Sequence, residues 1–172
     1  MSQSIVIMGV AGCGKSSLAV AVAHSASLRL LEGDDYHSAS SKAKMSQGIA
    51  LTDTDRDGWL TRLGDELHAS TSGPPGALVM TCSALKKTYR ERLRSAAPGL
   101  RFVYLEISRE QALARVAARA ASHFFSSSLV DSQFATLEPP LTEAGVLRVD
   151  AMAPLSQLQA QVTAWLANKE TA

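Results

Sequence analysis

The chain has 172 residues, 46% of them hydrophobic and 19% charged, with a net charge of +1 at neutral pH. That length is enough for one buried core. The near-zero charge argues against a nucleic-acid-wrapping surface, and no apolar run approaches the ~18 residues that a bilayer span needs.

Residues 4–8 open the chain as an apolar strand, with no basic flank of the kind a signal peptide carries. The strand runs into Gly9 to Ser16, G-V-A-G-C-G-K-S, which satisfies G-x-x-x-x-G-K-[ST], and a helix over 16–26 follows. In such a strand–loop–helix, backbone N–H groups around Gly9, Gly12, Cys13 and Gly14 wrap an anionic phosphate at the positive end of the helix dipole. Lys15 then reaches the β and γ oxygens, the Ser16 hydroxyl is placed to ligate Mg²⁺, and Ser17 extends the same turn. The spacing therefore predicts a nucleoside triphosphate site. Cys13 reads two ways: a thiol activated by the loop N–H groups and Lys15, or a small buried residue. Neither Cys13 nor Cys82 belongs to a C-x-x-C pair or a ligand cluster, which points away from structural zinc and toward a reducing, cytoplasmic setting.

Further strands are expected at 28–32, 77–82, 101–107 and 146–150. Helices are expected at about 38–46, 55–70, 86–97, 109–121 and 154–167. Trp59, Leu60, Leu63 and Leu67 share one face of the third of the six helices, and Leu155, Leu158, Val162, Trp165 and Leu166 keep a helical period in the last. Gly and Pro clusters at 72–76, 98–99 and 139–140 punctuate the boundaries. Apolar strands alternating with helices predict an α/β fold, a parallel sheet covered on both faces. Ligands then gather beyond the carboxyl ends of the strands.

The segments beyond those ends are the polar ones. Glu32 to His37 (E-G-D-D-Y-H) follows the second strand, then Lys42, Lys44 and the run L-T-D-T-D-R-D-G-W-L from Leu51. C-S-A-L-K-K-T-Y-R-E-R-L-R follows the third, bringing Ser83 and Lys86. Arg115, Arg119 and His123 recur every four residues after the fourth, on one helical stripe. Each group alone reads as a solvated face or a turn residue; what distinguishes them is that all fall on the rim holding the phosphate loop.

In that order, the phosphate loop, G-D-D-Y-H, G-x-x-L-x-D-x-D-R-x-x-W-L, C-S-A-L-K-K-x-Y-R and H-F…S-Q-F-x-x-L-E-x-P resemble the gluconokinases. These are small P-loop kinases similar in fold to shikimate and nucleoside-monophosphate kinases, and the match spans roughly residues 4 to 150. The resemblance implies a five-stranded parallel sheet in the order 2-3-1-4-5, with a mobile lid around 115–135 in one kinase domain spanning 1–172. It also implies transfer of a phosphoryl group from ATP to D-gluconate with Mg²⁺, and a homodimer with neither nucleic acid nor membrane as partner. The chain departs from the family where His37-Ser38-Ala39-Ser40-Ser41 replaces H-P-x-x-N, where Glu32 begins what is usually D-G-D, and where Gly58 replaces a proline.

Phosphoryl transfer depends on positioning and charge neutralisation more than on covalent chemistry. On that basis Asp34 is expected as the base and Glu32 as the Mg²⁺ partner through water, although the sequence leaves those roles, and that of Asp35, open. Arg119 with Arg115 is expected to close over the phosphates. His37, Lys44, Arg56, Ser83, Lys86, His123 and Gln133 are candidates for the polyol and its carboxylate, and the turn near Ala151 to Pro154 for the adenine. Two rivals stand beside this reading: a small kinase for shikimate or a nucleoside monophosphate, and a nucleotide switch suggested by Asp55-Arg56-Asp57-Gly58. The switch lacks an N-K-x-D guanine signature.

Overall fold

The computed structural model describes residues 3–119 and 126–168. Five strands, β1 (Ile5–Met8), β2 (Arg29–Glu32), β3 (Leu78–Thr81), β4 (Arg101–Glu106) and β5 (Val146–Asp150), form one sheet in the order β2-β3-β1-β4-β5. Every pairing is parallel. All four residues of β1 and all four of β3 are buried. Because alternate side chains point to opposite faces, full burial requires cover on both.

The cover consists of α1 (Lys15–Ala26), α2 (Ala39–Ser46), α3 (Asp53–Thr71), α4 (Lys87–Ala96), α5 (Arg109–Ala118), α6 (Ser127–Thr136) and α7 (Leu155–Ala167). Helix α1 packs against α7, α3 against α4, and α5 against α6. Trp59, Leu60, Leu63 and Leu67 of α3 are all buried, as their period requires. In α7, Leu158 and Val162 are buried, whereas Leu155 is 45% exposed. No helix among the described residues is long and apolar enough to cross a membrane.

Two helix boundaries and one whole helix differ from the sequence reading. Helix α3 starts at Asp53 because Thr52 caps it: the Thr52 hydroxyl accepts the Asp55 N–H at 3.1 Å, and the Asp55 carboxylate accepts the Thr52 N–H at 2.9 Å. Helix α5 ends at Ala118, short of the expected 121, with Arg119 as its C-cap. The Arg115–Arg119–His123 stripe is thus not one helical face as far as the described residues run, and His123 lies outside them. Helix α6 was not expected, since S-S-L-V-D-S-Q-F-A-T carries no extended apolar period; it buries only Leu129 and Val130.

Candidate active site

The β1–α1 connection wraps the helix N-terminus as its glycines allow. Gly14, the N-cap of α1, has φ 96, and Gly12 has φ 82, with a hypothetical Cβ only 3.0 Å from the Ala112 carbonyl. Side chains are strained in that conformation. The Lys15 ammonium folds back onto the loop, donating to the Gly9 carbonyl at 3.0 Å and the Val10 carbonyl at 3.2 Å. Cys13 is 1% exposed and packs beneath Gly9, so the reading of an accessible, reactive thiol is not borne out by its position. Its sulfur lies 4.0 Å from the Lys15 ammonium.

Parallel pairing places Glu32 at the end of β2 opposite Thr81 at the end of β3. Glu32 Oε2 accepts hydrogen bonds from the Thr81 hydroxyl at 2.7 Å and the Ser16 hydroxyl at 3.1 Å. Thr81, whose hydroxyl also accepts the Gly33 N–H at 3.1 Å, escaped the sequence reading because it looked like one more strand residue. This trio supplies hard oxygen donors beside the phosphate loop, the donor chemistry that Mg²⁺ takes.

Beyond Glu32 the chain makes a 3₁₀ turn, Gly33–Tyr36. Gly33 has no room for a side chain, since a Cβ would fall 2.0 Å from the Thr81 carbonyl oxygen. The Asp34 carboxylate projects from this turn into solvent-accessible space, 60% exposed, while His37 is 5% exposed with its Nε2 3.6 Å from Asp34 Oδ1. Partial desolvation in the cleft acts to raise the Asp34 pKa. The approach of His37 and the positive charge of Lys15 outweigh it, holding the carboxyl below its ordinary value. Asp35 is exposed on the turn. After His37, Ser38 does what the expected proline would not: its hydroxyl accepts the Ser41 N–H at 3.1 Å and caps α2.

A cavity of about 180 Å³ joins these groups, with Lys15, Ser16, Asp34, His37, Arg56, Ser83, Arg119 and Gln133 in its walls. Arg56 is 8% exposed, donates to the Leu51 carbonyl at 2.8 Å, and has no carboxylate in ion-pair range among the described residues. Gln133 Oε1 accepts the Ala11 N–H at 2.7 Å, tying α6 to the phosphate loop and turning its amide nitrogen elsewhere. Two of the expected cations are not brought here. The Lys44 ammonium holds both Asp55 oxygens at 2.8 and 2.9 Å, and Lys86 holds both Asp53 oxygens at 3.0 Å. Tyr89 also donates to Asp53. Neither lysine lines the cavity.

A second cavity, of about 360 Å³, lies between the phosphate loop and the β5–α7 turn. Arg115 crosses it, donating to the Gly12 and Cys13 carbonyls at 3.3 Å and the Ala151 carbonyl at 2.9 Å. It therefore meets backbone carbonyls and holds the turn against the loop. The exposed Leu155 forms part of the apolar wall. Gly14, Ser17 and Arg119 border both cavities.

Residues 5–140 match a protein family described as an AAA domain. Over 149 residues the chain is 40% identical to the thermosensitive gluconokinase of Escherichia coli strain K12, covering 86% of this chain and 79% of that one. It is 41% identical to the gluconokinase of Gluconobacter oxydans strain 621H, covering 84% and 80%. A crystal structure of a gluconokinase from Sinorhizobium meliloti 1021 superposes with a TM-score of 0.86 at 41% identity, covering 96% of this chain and 92% of that one.

Proposed function

The chain belongs to the gluconokinases, and from that membership we infer that it transfers the γ-phosphoryl group of ATP to D-gluconate, giving ADP and 6-phospho-D-gluconate. The observation that carries the chemistry is the meeting of two cavities at Gly14, Ser17 and Arg119. A donor bound along the phosphate loop and an acceptor beside Asp34 would share one boundary, as in-line transfer requires.

In this reading the nucleoside enters the cavity by Ala151 and Leu155, and its phosphates reach the loop N–H groups of Gly9 to Ser17. Lys15 leaves the Gly9 and Val10 carbonyls for the phosphate oxygens, and Arg119 adds charge from the lid side. Ser16, and Glu32 through water, would hold Mg²⁺, which would offset the negative charge of the phosphates. The sugar hydroxyl oxygen attacks phosphorus, the bond from the γ phosphorus to the β–γ bridging oxygen breaks as ADP leaves, and the hydroxyl proton passes to Asp34. Asp34, ionised at neutral pH with its pKa held below the ordinary value, is a weak base whose part is to orient the hydroxyl and take its proton late in the transfer.

Arg56 is the group we assign to the C1 carboxylate. A buried guanidinium with no carboxylate partner among the described residues is a costly arrangement unless a ligand supplies the anion. Ser83 and the Gln133 amide nitrogen would bind hydroxyls. Residues 1–172 are read as one kinase domain with a lid over about 115–135, of which 120–125 lie outside the described residues, acting in the cytoplasm as a homodimer without nucleic-acid partners.

The test is ADP release followed with and without acceptor. Gluconate should stimulate it, while shikimate and nucleoside monophosphates should not. ADP release that responds to shikimate and ignores gluconate would overturn the substrate while leaving the kinase.

A further inference from the structure

We propose that His37 is the positioning residue for Asp34, acting through that carboxylate without binding the sugar. This rests on the reading of Asp34 as the base in gluconate phosphorylation.

The turn that carries both residues is pinned from two sides. Gly33 seats its backbone against β3, where a Cβ would meet the Thr81 carbonyl at 2.0 Å. From α3, the Trp59 indole N–H donates to the Gly33 carbonyl at 2.7 Å. The His37 N–H then closes the turn onto the Asp34 carbonyl at 3.3 Å, which sets the two side chains on one side. The His37 ring lies flat on Trp59, with centroids 4.2 Å apart and planes 17° apart. A ring fixed in that way cannot follow a substrate. It can hold a neighbour.

The two ring nitrogens differ. Nε2 faces Asp34 Oδ1 at 3.6 Å, while Nδ1 is buried with no hydrogen-bond partner among the described residues. With no acceptor near Nδ1 among the described residues, Nε2 is the ring nitrogen that can direct an N–H at a partner. That partner is Asp34. On this proposal Nε2–H donates to Oδ1 and steers the second carboxylate oxygen toward the cavity, with the 3.6 Å approach expected to shorten once the acceptor is seated.

The experiment compares H37F, which keeps a stacking ring and removes the donor, with H37Q, whose amide retains a donor at a similar reach, and with D34N and the H37F/D34N double variant. Steady-state ADP release with gluconate and MgATP, the affinity for a non-hydrolysable ATP analogue and the melting temperature are measured for each. H37F should lower kcat about 10- to 100-fold, the scale of a misplaced catalytic group. Its KM for gluconate and its nucleotide affinity should stay within about threefold, and H37Q should recover most of the rate. The double variant should be no slower than D34N, because a residue acting through Asp34 has nothing left to act on. Should H37F not fold, H37N, whose shorter amide stops short of the carboxylate, takes its place. A raised KM with kcat retained would overturn the proposal in favour of direct sugar binding. Equal loss in H37Q and H37F, with additive loss in the double variant, would overturn it in favour of a packing role. If the parent does not phosphorylate gluconate, the substrate reading falls separately, and the same four variants are compared on the acceptor that does stimulate ADP release.

Discussion

Lys15 rests on two neutral carbonyls, Gly9 and Val10, which a phosphate dianion would outcompete for an ammonium. Lys15→Ala should lower kcat about 10²- to 10³-fold, the range for losing one preorganised charge stabiliser; a single-turnover assay checks it, and a rate within threefold of the parent would mean the lysine does not reach the transferring group. The thiols give an opposite kind of expectation. Cys13 and Cys82 are each 1% exposed, and burial pushes the Cys82 thiol up to about 12. Both should resist a soluble disulfide reagent in the native protein and react promptly in denaturant, with MgATP making little difference. The phosphate loop was legible residue by residue, since its function fixes its spacing. Lys44 and Lys86 were not. A sequence reveals a cation without its counter-ion, and here both counter-ions, Asp55 and Asp53, come from α3, which follows Lys44 and precedes Lys86.

The first two turns of α3 show how a conspicuous motif divides between structure and chemistry. Thr52 caps, Asp53 and Asp55 anchor Lys86 and Lys44, Asp57 pairs with Arg92, Trp59 holds Gly33, and Arg56 and Trp59 line the cavity. Thr52→Ala should destabilise by about 1 kcal/mol, a fall in Tm of roughly 2–4 °C for a chain of this size. The hydrogen bonds from Lys44, then from the Thr52 N–H, lower the Asp55 pKa to about 2 from an ordinary 3.8. A depressed folded value means the contribution is complete above about pH 4 and fades as pH falls toward 2. Asp55→Asn should therefore remove part of the stability at neutral pH and flatten its decline across that acid window, measured by urea unfolding at each pH. Deeper in, Arg90 is 1% exposed and held by Glu143 at 2.5 Å. Glu143→Gln leaves that guanidinium short of its counter-charge and should cost about 3–5 kcal/mol, the range for breaking a buried pair. Helix α6 shows the limit of reading by period: it is tied down by Gln133 to the loop, Asp131 to Arg109 and Ser128 to the Gly48 carbonyl. Polar contacts of that kind leave no apolar rhythm in the sequence.

At the scale of the whole molecule, the parallel sheet collects loops from five strand ends on one rim, and that much followed from alternating apolar runs and helices. The strand order β2-β3-β1-β4-β5 did not follow from periodicity; it came with the resemblance and was then found. The same rim sets selectivity. With Arg56 and Lys15 both in the acceptor cavity, glucose and sorbitol, which lack the anion, should show kcat/KM at least about 10³ below gluconate, since a site built for a polar group penalises its absence. Aldonates altered at one hydroxyl should lose less, and a preference for glucose would remove Arg56 from its assigned role.

The shared border at Gly14, Ser17 and Arg119 also has a pharmacological meaning. Two chambers that share a border can be spanned by one compound reaching across it. Adenosine joined through a short polyphosphate bridge to the terminal carbon of gluconate would seat both halves at once. The second half would then bind at the millimolar effective concentration that a short tether gives, without losing translational freedom again. Such a conjugate should compete with ATP and with gluconate alike, whereas an inhibitor confined to either chamber would compete with one substrate alone.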